Sequence, residues 1–234
     1  MRNKDICKIP KEKDKKTKQG KQSLVFTTED GDIIKSIFYK KDYEKEWLEK
    51  LKKRARGRIK YCFNLPIVQK RCREYNYYLF EKLDGDLDVL LKKVSKKVRK
   101  NLLLQCLVVI YTLNIKWGIN HNDLFNEKGI KNVMYVKISE PFYLGYGVEA
   151  EKYIVKFIDF GQAGEGIPGF KNIKFKIDDI DSEPLIFIDF FFKTIFGTDV
   201  DLRNELVNIY TSDIDLIDYV KNNFNKLYHI SEVT

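Results

Sequence analysis

The chain has 234 residues, and its 44% hydrophobic and 33% charged residues are typical of a folded globular protein rather than a disordered one. Its net charge of +9 comes mainly from lysine, which together with abundant Asn, Ile, Phe and Tyr is also what an AT-rich genome would encode, so basicity alone does not identify a nucleic-acid-binding protein. Two histidines exclude a histidine-based metal site, and the apolar runs at 102–113 and 185–196 are too short to span a bilayer.

The cysteines and the N-terminal residues predict the compartment. Cys7, Cys62, Cys72 and Cys106 form no Cys-x-x-Cys pair and no regular framework. A chain of this length can bury a core without disulfides, so we expect reduced thiols. The first 23 residues contain no apolar run typical of a signal peptide. We therefore expect a soluble, intracellular protein of the cytoplasm.

Residues 1–23 are rich in lysine and poor in apolar side chains. Such segments bury too little apolar surface to offset the entropy of ordering, so we predict a basic mobile tail. Binding of an anionic partner and a localisation signal are the alternative interpretations of the tail. Nucleic acid therefore stays open as a partner, but with weak support.

Two β-rich runs, 24–27 and 33–39, are separated by Glu29-Asp30-Gly31-Asp32. Asp-Gly between such runs predicts a β-hairpin. In the second strand, Lys35 lies on the same face as Ile33 and Ile37.

A helix is predicted over 42–53. Glu44 has Trp47, Leu48 and Leu51 at helical spacing and so borders the buried stripe, whereas Glu46 faces water. An ion pair between this helix and Lys35 would therefore use Glu44.

Further along the chain, 52–60 is a basic cluster that is best interpreted as a solvated face, because no aromatic residue is interleaved with its cations before Tyr61. Residues 77–87 predict a buried strand that leads through a turn into a helix. The apolar stretch 98–117 predicts a core helix, and Gly118 is well placed to end it.

Three short motifs follow this helix: His121-Asn122-Asp123-Leu124, then Lys131-Asn132-Val133-Met134, then Ile158-Asp159-Phe160-Gly161. Each brings a carboxylate or an amide to the end of a short apolar run. Asn132 heads a run that can pair with 154–158, across an elongated hairpin suggested by Pro141, Gly145 and Gly147. One carboxylate that orients a hydroxyl, with an amide and a carboxylate that bind metal ions, is what phosphoryl transfer requires.

At these residues the chain resembles the protein-kinase-like superfamily, whose catalytic loop is His-x-Asp-Leu-x-x-x-x-Asn with Asp-Phe-Gly downstream. The residues of these motifs are most similar to those of compact serine/threonine kinase-like proteins of large DNA viruses. This resemblance implies an α+β, two-lobed fold with a small β-rich N-lobe and a mainly helical, truncated C-lobe. The domain would comprise 24–83 and 84–234, after the 1–23 tail, and a viral protein would act in the host cytoplasm or the virion.

The resemblance also implies roles for individual residues. Asp123 would accept or orient the hydroxyl proton, and Lys35, held by Glu44, would position the phosphates of ATP. Asn132 and Asp159 would bind Mg²⁺. Near the hinge between lobes, Phe80 would lie at the mouth of the adenine pocket, and the backbone of 81–83, from Glu81 to Leu83, would bind the adenine edge.

The sequence departs from the family pattern at several points. Asn132 follows Asp123 by nine positions instead of the usual five, and the step from Asn132 to Asp159 is about twice the usual length. Only Gly20 precedes the first hairpin, where the family has a glycine-rich phosphate loop. Asn122 replaces the arginine that would pair with a phosphorylated activation loop, so we do not expect control by loop phosphorylation.

The function implied is ATP-dependent phosphoryl transfer to serine or threonine hydroxyls of proteins. A small-molecule kinase of the choline or aminoglycoside type is one alternative. A catalytically inactive kinase-like module that binds a partner is the other, and the missing glycine loop favours it. The sequence does not identify the acceptor or the oligomeric state.

Overall fold

The computed structural model describes residues 15–19, 23–28, 31–126, 129–145 and 147–165. In these residues the fold is mixed α/β, and its N-terminal part is rich in β-strands. The expected helical region beyond residue 165 and the first 14 residues of the predicted tail lie outside the described residues.

The N-terminal part is built on a five-stranded sheet. Its strand order is β1-β2-β3-β5-β4, and every neighbouring pair is antiparallel. The predicted hairpin between β2 and β3 is confirmed, and Gly31 has the positive φ of +86° that its turn requires. The strands are β1 (Lys15–Gln19), β2 (Ser23–Thr27), β3 (Ile33–Phe38), β4 (Val68–Cys72) and β5 (Tyr75–Phe80).

Strand β1 lies inside the segment 1–23 that the sequence predicts to be a mobile tail, and the sequence did not predict this strand. The strand is formed by main-chain pairing with β2, with a register shift between Lys16 and Lys18. Main-chain pairing at a sheet edge needs no buried side chain, and lysine is common on edge strands because it discourages further pairing. Composition alone therefore underestimates order at this edge.

Helix α1 (Glu44–Arg54) packs its apolar stripe against the core, as predicted. Leu48 and Leu51 are almost completely buried. The helix begins two residues later than the sequence predicts. Asp42 remains outside the helix because its carboxylate accepts hydrogen bonds from the Lys45 amide, from Asn76 and from the Tyr78 hydroxyl.

Two more helices follow the sheet, α2 (Leu87–Leu91) and α3 (Lys96–Tyr111). The side chain of Ser95 caps α3, which continues into a π-helical turn over Thr112–Lys116. Gly118 has φ +61° and its amide donates to the Asn114 carbonyl at 3.1 Å, so the predicted helix stop is present.

Short strands flank the motif residues Asp123, Asn132 and Asp159 along the chain. The predicted pairing downstream of Asn132 is confirmed, because Val133 lies opposite Phe157 in an antiparallel ladder. The elongated hairpin between these strands is also present. The strands are β6 (Gly85–Asp86), β7 (Ile119–Asn120), β8 (Phe125–Asn126), β9 (Gly129–Ile130), β10 (Val133–Lys137), β11 (Phe142–Gly145), β12 (Val148–Ala150), β13 (Tyr153–Phe157) and β14 (Gly164–Glu165).

One hydrophobic cluster joins α1, α2 and α3 to the sheet and to β10 and β13. Cys62 and Cys106 are free and buried within it. Cys72 is disulfide-bonded, so the expectation of reduced thiols is wrong for this residue. Among the described helices, none has the length and apolar character needed to cross a membrane.

Candidate functional site

Three charged side chains from distant parts of the chain meet where α1 crosses the sheet. Lys35 on β3 lies between two carboxylates: its Nζ is 2.5 Å from Glu44 Oε2 and 3.0 Å from Asp159 Oδ1. The ion pair that the sequence predicts between Lys35 and Glu44 is thus formed. We call these three residues the lysine cluster.

Burial and charge together set the protonation of the lysine cluster. Burial alone would lower the pKa of Lys35, but the carboxylates of Glu44 and Asp159 outweigh it, and the net effect raises that pKa. Burial raises the pKa of Glu44 despite the opposing charge of Lys35. For Asp159, burial would raise the pKa, but Lys35 lowers it overall. Lys35 is therefore firmly cationic.

Asp159 adopts an unusual backbone conformation at the end of β13. Its φ of +59° and ψ of 68° place it in the left-handed region, which is uncommon for a residue other than glycine. The next amide, on Phe160, donates to Glu44 Oε1 at 3.2 Å, and the Gly161 amide donates to the Asp159 carboxylate. These contacts hold the Asp159 carboxylate beside Lys35. Backbone strain held in this way is typical of functional sites.

A second group, which we call the loop cluster, comprises Asp123, Lys131 and Asn132. The Asn132 amide Nδ2 donates to both the backbone oxygen and Oδ2 of Asp123, each at 2.8 Å. Asn132 also has a positive φ, of 56°. Because its amide nitrogen is bound to Asp123, the carbonyl oxygen is the end of this side chain that can bind a cation.

Lys131 is the site residue that the sequence interpretation missed. Its ammonium forms an ion pair with Asp123 Oδ1. The chain between Asp123 and Asn132 contains a short hairpin of β8 and β9. This hairpin returns the chain so that the Lys131 amide donates to the Leu124 carbonyl at 2.8 Å. A lysine directly before the amide, after an insertion of four residues, was the available signal.

His121 connects the two clusters. It is fully buried, its Nε2 donates to the Ile158 carbonyl at 2.9 Å, and its ring lies 4.6 Å from that of Phe160. The Ile158 amide in turn donates to the backbone carbonyl of Asn132 at 3.0 Å. Burial lowers the pKa of His121, so the ring is neutral. A neutral ring that is fully buried and bonded to a main-chain carbonyl is suited to packing rather than to proton transfer.

A cavity of about 190 Å³ opens between the clusters. Its lining includes Lys35, Glu44, Asp123 and Asp159, so four of the predicted site residues face one space. Asn132 is not part of the lining, but it donates a hydrogen bond to Asp123, which is.

The residues predicted to contact adenine are not part of that lining. Phe80 is buried and stacks on Tyr78, with ring centroids 6.1 Å apart. Leu83 is also buried, whereas Glu81 is exposed and its carbonyl accepts a hydrogen bond from Asn64 at 3.5 Å. These residues thus lie at the end of β5 and in the segment that follows it, and they do not line the charged cavity.

The oxygen donors near the cavity suit a hard cation. The side chain of Asp159 is 49% exposed, and Asn132 offers an amide carbonyl. Within the described residues there is no group of three His, Cys, Asp or Glu side chains that could hold a metal by themselves. Mg²⁺ is commonly held by one or two carboxylates together with substrate phosphates, so this donor set fits Mg²⁺ with a nucleotide.

Comparison with known proteins gives a fold but no close relative. No protein-family model matches the chain, and no curated protein matches it in sequence. Among solved structures it is similar to the kinase domain of BubR1, with a TM-score of 0.52 and 16% identity over 76% of this chain and 60% of that chain. It also matches the kinase domain of PF14_0431, with a TM-score of 0.44 and 16% identity over 67% of this chain and 52% of that one.

The chain thus spans 60% or less of the length of these two structures. The likeness to the BubR1 kinase domain shows a kinase-like fold, which confirms the sequence prediction at that level. The two-lobed layout, the truncated C-lobe and the resemblance to viral proteins stay predictions.

Proposed function

We propose that this protein transfers a phosphoryl group from ATP to serine or threonine hydroxyls of protein substrates. The observation that carries the proposal is a cavity lined both by Asp123 and by a lysine held between two carboxylates. The nucleotide and the acceptor would both bind here. The kinase-like fold supports the same reaction class.

Asp123 orients the acceptor in this proposal. Its carboxylate is 29% exposed and faces the cavity, where it can accept the proton of an incoming hydroxyl. Asn132 and Lys131 hold it from two sides and fix its rotamer. A hydroxyl placed in this way needs little reorganisation before attack.

Lys35 binds the non-transferred phosphates, and Glu44 fixes its position. A lysine whose side chain is only 13% exposed loses little further hydration when it meets an anion. Glu44 is anchored both by Lys35 and by the Phe160 amide, so the position of Lys35 depends on α1 and on the turn that follows β13.

Asp159 and the Asn132 carbonyl would hold Mg²⁺. When bound, the ion would supply positive charge that offsets the charge of the phosphates. The ladder between β10 and β13 supports this assignment, because it brings the start of one strand and the end of the other to the same edge. We assign the adenine contacts to Phe80 and to the backbone of 81–83, at a hinge between an N-lobe over 24–83 and a C-lobe over 84–234.

Labelled ATP with Mg²⁺ and a set of acceptors tests the proposal. We expect transfer to serine or threonine of a generic protein such as casein. The variant Asp123→Asn serves as the inactive control. Transfer only to amino alcohols or aminoglycosides would favour the small-molecule kinase. If ATP binds without transfer to any acceptor, or does not bind, the inactive binding module is favoured.

A further inference from the structure

The segment 52–60 concentrates arginine in a chain that otherwise uses lysine. It holds six basic residues and no acidic one, and three of the six are arginine, although arginine is only 8 of the 43 basic residues of the chain. A genome that favours lysine codons does not explain this excess. Arginine differs from lysine in that its planar guanidinium stacks on aromatic rings and binds phosphate through two parallel hydrogen bonds.

The fold brings to this segment an aromatic ring that the local sequence lacks. The Arg58 guanidinium lies 5.3 Å from the centre of the Phe142 ring, which β11 contributes, and Lys60 Nζ lies 4.9 Å from that of Tyr61. The rings of Tyr61 and Phe142 meet edge to face at 5.2 Å. We call Arg56, Arg58, Lys60, Tyr61 and Phe142 the basic–aromatic surface.

This surface is accessible and carries uncompensated charge. Arg56, Arg58 and Lys60 are exposed, and Tyr61 is 46% exposed. None of the three cations forms an ion pair with a residue in the part of the chain that the structure describes. By contrast, Lys92 and Lys97, which are also exposed, pair with Asp88 and Glu151.

We propose that the basic–aromatic surface binds single-stranded nucleic acid. Proteins that bind single strands combine cations that follow the phosphates with aromatic rings on which bases stack, and arginine adds cation–π contacts. An acidic peptide would use the cations but would gain little from the ring of Tyr61. The arrangement of Arg58 and Lys60 around two rings therefore favours a nucleic acid strand over an acidic protein.

Binding of a fluorescein-labelled 12-nucleotide single-stranded RNA to the full chain, followed by anisotropy, tests the role of charge. The variant Arg56→Ser, Arg58→Ser, Lys60→Ser should bind at least about tenfold more weakly, and its log affinity should fall less steeply with log salt, by about 2 in slope. The matched control Lys93→Ser, Lys137→Ser, Lys152→Ser removes the same charge from exposed positions elsewhere. An equal loss in the control would overturn the proposal.

Two substitutions of Tyr61 test stacking. Tyr61→Leu should weaken RNA binding at least about fivefold, whereas Tyr61→Phe, which keeps the ring, should bind as wild type does. Equal binding by the Leu and Phe variants, or displacement of the RNA by oligoglutamate of the same charge at equal concentration, would show a general anion surface and contradict the proposal. The proposal is independent of catalysis, so Asp123→Asn should retain full RNA binding.

Discussion

The lysine cluster and the loop cluster face the same cavity but are built differently. Lys35 and Glu44 are held by a sheet and a helix, and their side chains are 13% and 3% exposed. Asp123 and Lys131 lie at the ends of short loop segments and are 29% and 36% exposed. A buried ion pair that loses one partner leaves an uncompensated charge, whereas a partly exposed one is rehydrated. Substitutions of Lys35 should therefore affect folding and activity together, and those in the loop cluster should affect activity alone.

Asp123→Asn should have the largest effect on rate and almost none on stability. Loss of one general base typically lowers the rate by about 10²–10⁴-fold. The asparagine has nearly the same volume, and the site is partly hydrated, so the melting temperature should stay near that of the wild type. Phosphoryl transfer and thermal unfolding measured on the same preparation check both halves of this expectation. Retention of more than about a tenth of the rate would remove Asp123 from the mechanism.

Lys35→Met should lower both the stability of the fold and the affinity for ATP. It leaves the Glu44 carboxylate buried beside Asp159 without a cation, which costs about 3 kcal/mol of unfolding free energy by analogy with broken buried pairs. ATP binding should weaken as well. Urea unfolding and nucleotide titration measure the two effects.

Two further variants calibrate the Lys35→Met result. Glu44→Gln should show the same nucleotide defect in milder form, because Lys35 remains but is positioned less firmly. Glu46→Gln should be silent, since Glu46 is exposed and pairs only with Lys50 among the described residues. An equal defect for Glu46 would contradict the assignment of Glu44.

The different construction of the clusters also explains what the sequence could predict. Lys35 and Glu44 lie on regular elements, where the alternation of a strand and the apolar stripe of a helix indicate which way each side chain points. The ladder from Val133 to Phe157 was predictable for the same reason. The turn at Asp159 could be placed from the strand that precedes it.

The contact of Lys131 with Asp123 was not predictable in this way. It depends on how the hairpin of β8 and β9 turns. So short an insertion has no strand or helix periodicity from which the course of its backbone could be predicted. The pairing of Lys15–Gln19 was missed for a related reason, because main-chain hydrogen bonds at a sheet edge leave little trace in composition. The contact between the rings of Tyr61 and Phe142 was not predictable either, because the two residues are about 80 positions apart in the chain and meet only in the folded structure.

Asn132→Ala should weaken the binding of Mg²⁺ and not only the binding of ATP. Disturbing residues that hold or orient a metal typically costs about 10–100-fold in affinity or activity. The Mg²⁺ concentration needed for half-maximal rate should rise by a factor in that range. Asn126→Ala is the control, since Asn126 lies in the hairpin of β8 and β9 and not at the β10 edge. The reverse result for the two variants would move the metal ligand into the insertion.

Lys131→Met should lower the rate about fivefold while leaving stability within about 0.5 kcal/mol. The pair with Asp123 is partly exposed, and such pairs contribute at most about 1 kcal/mol. If the cation holds Asp123 in position, Lys131→Arg should restore most of the rate at unchanged acceptor affinity. If Lys131→Met proved as slow as Asp123→Asn, the lysine would have to act on the reacting atoms directly.

The smallest expected effect concerns His121, which joins the two clusters. Burial lowers its pKa in the folded protein, so the unfolded chain binds this proton more readily. Stability contributed by the neutral ring is therefore complete above the unfolded pKa of about 6.5 and is lost as the pH falls from that value toward the folded pKa, by at most about 1.4 kcal/mol per pH unit. His121→Gln can still donate to the Ile158 carbonyl but does not titrate. Its unfolding free energy, measured by urea at pH 7.5 and pH 5.5, should change less between the two than that of the wild type. An equal change in both proteins would place the pH dependence on other groups and leave His121 as a packing residue alone.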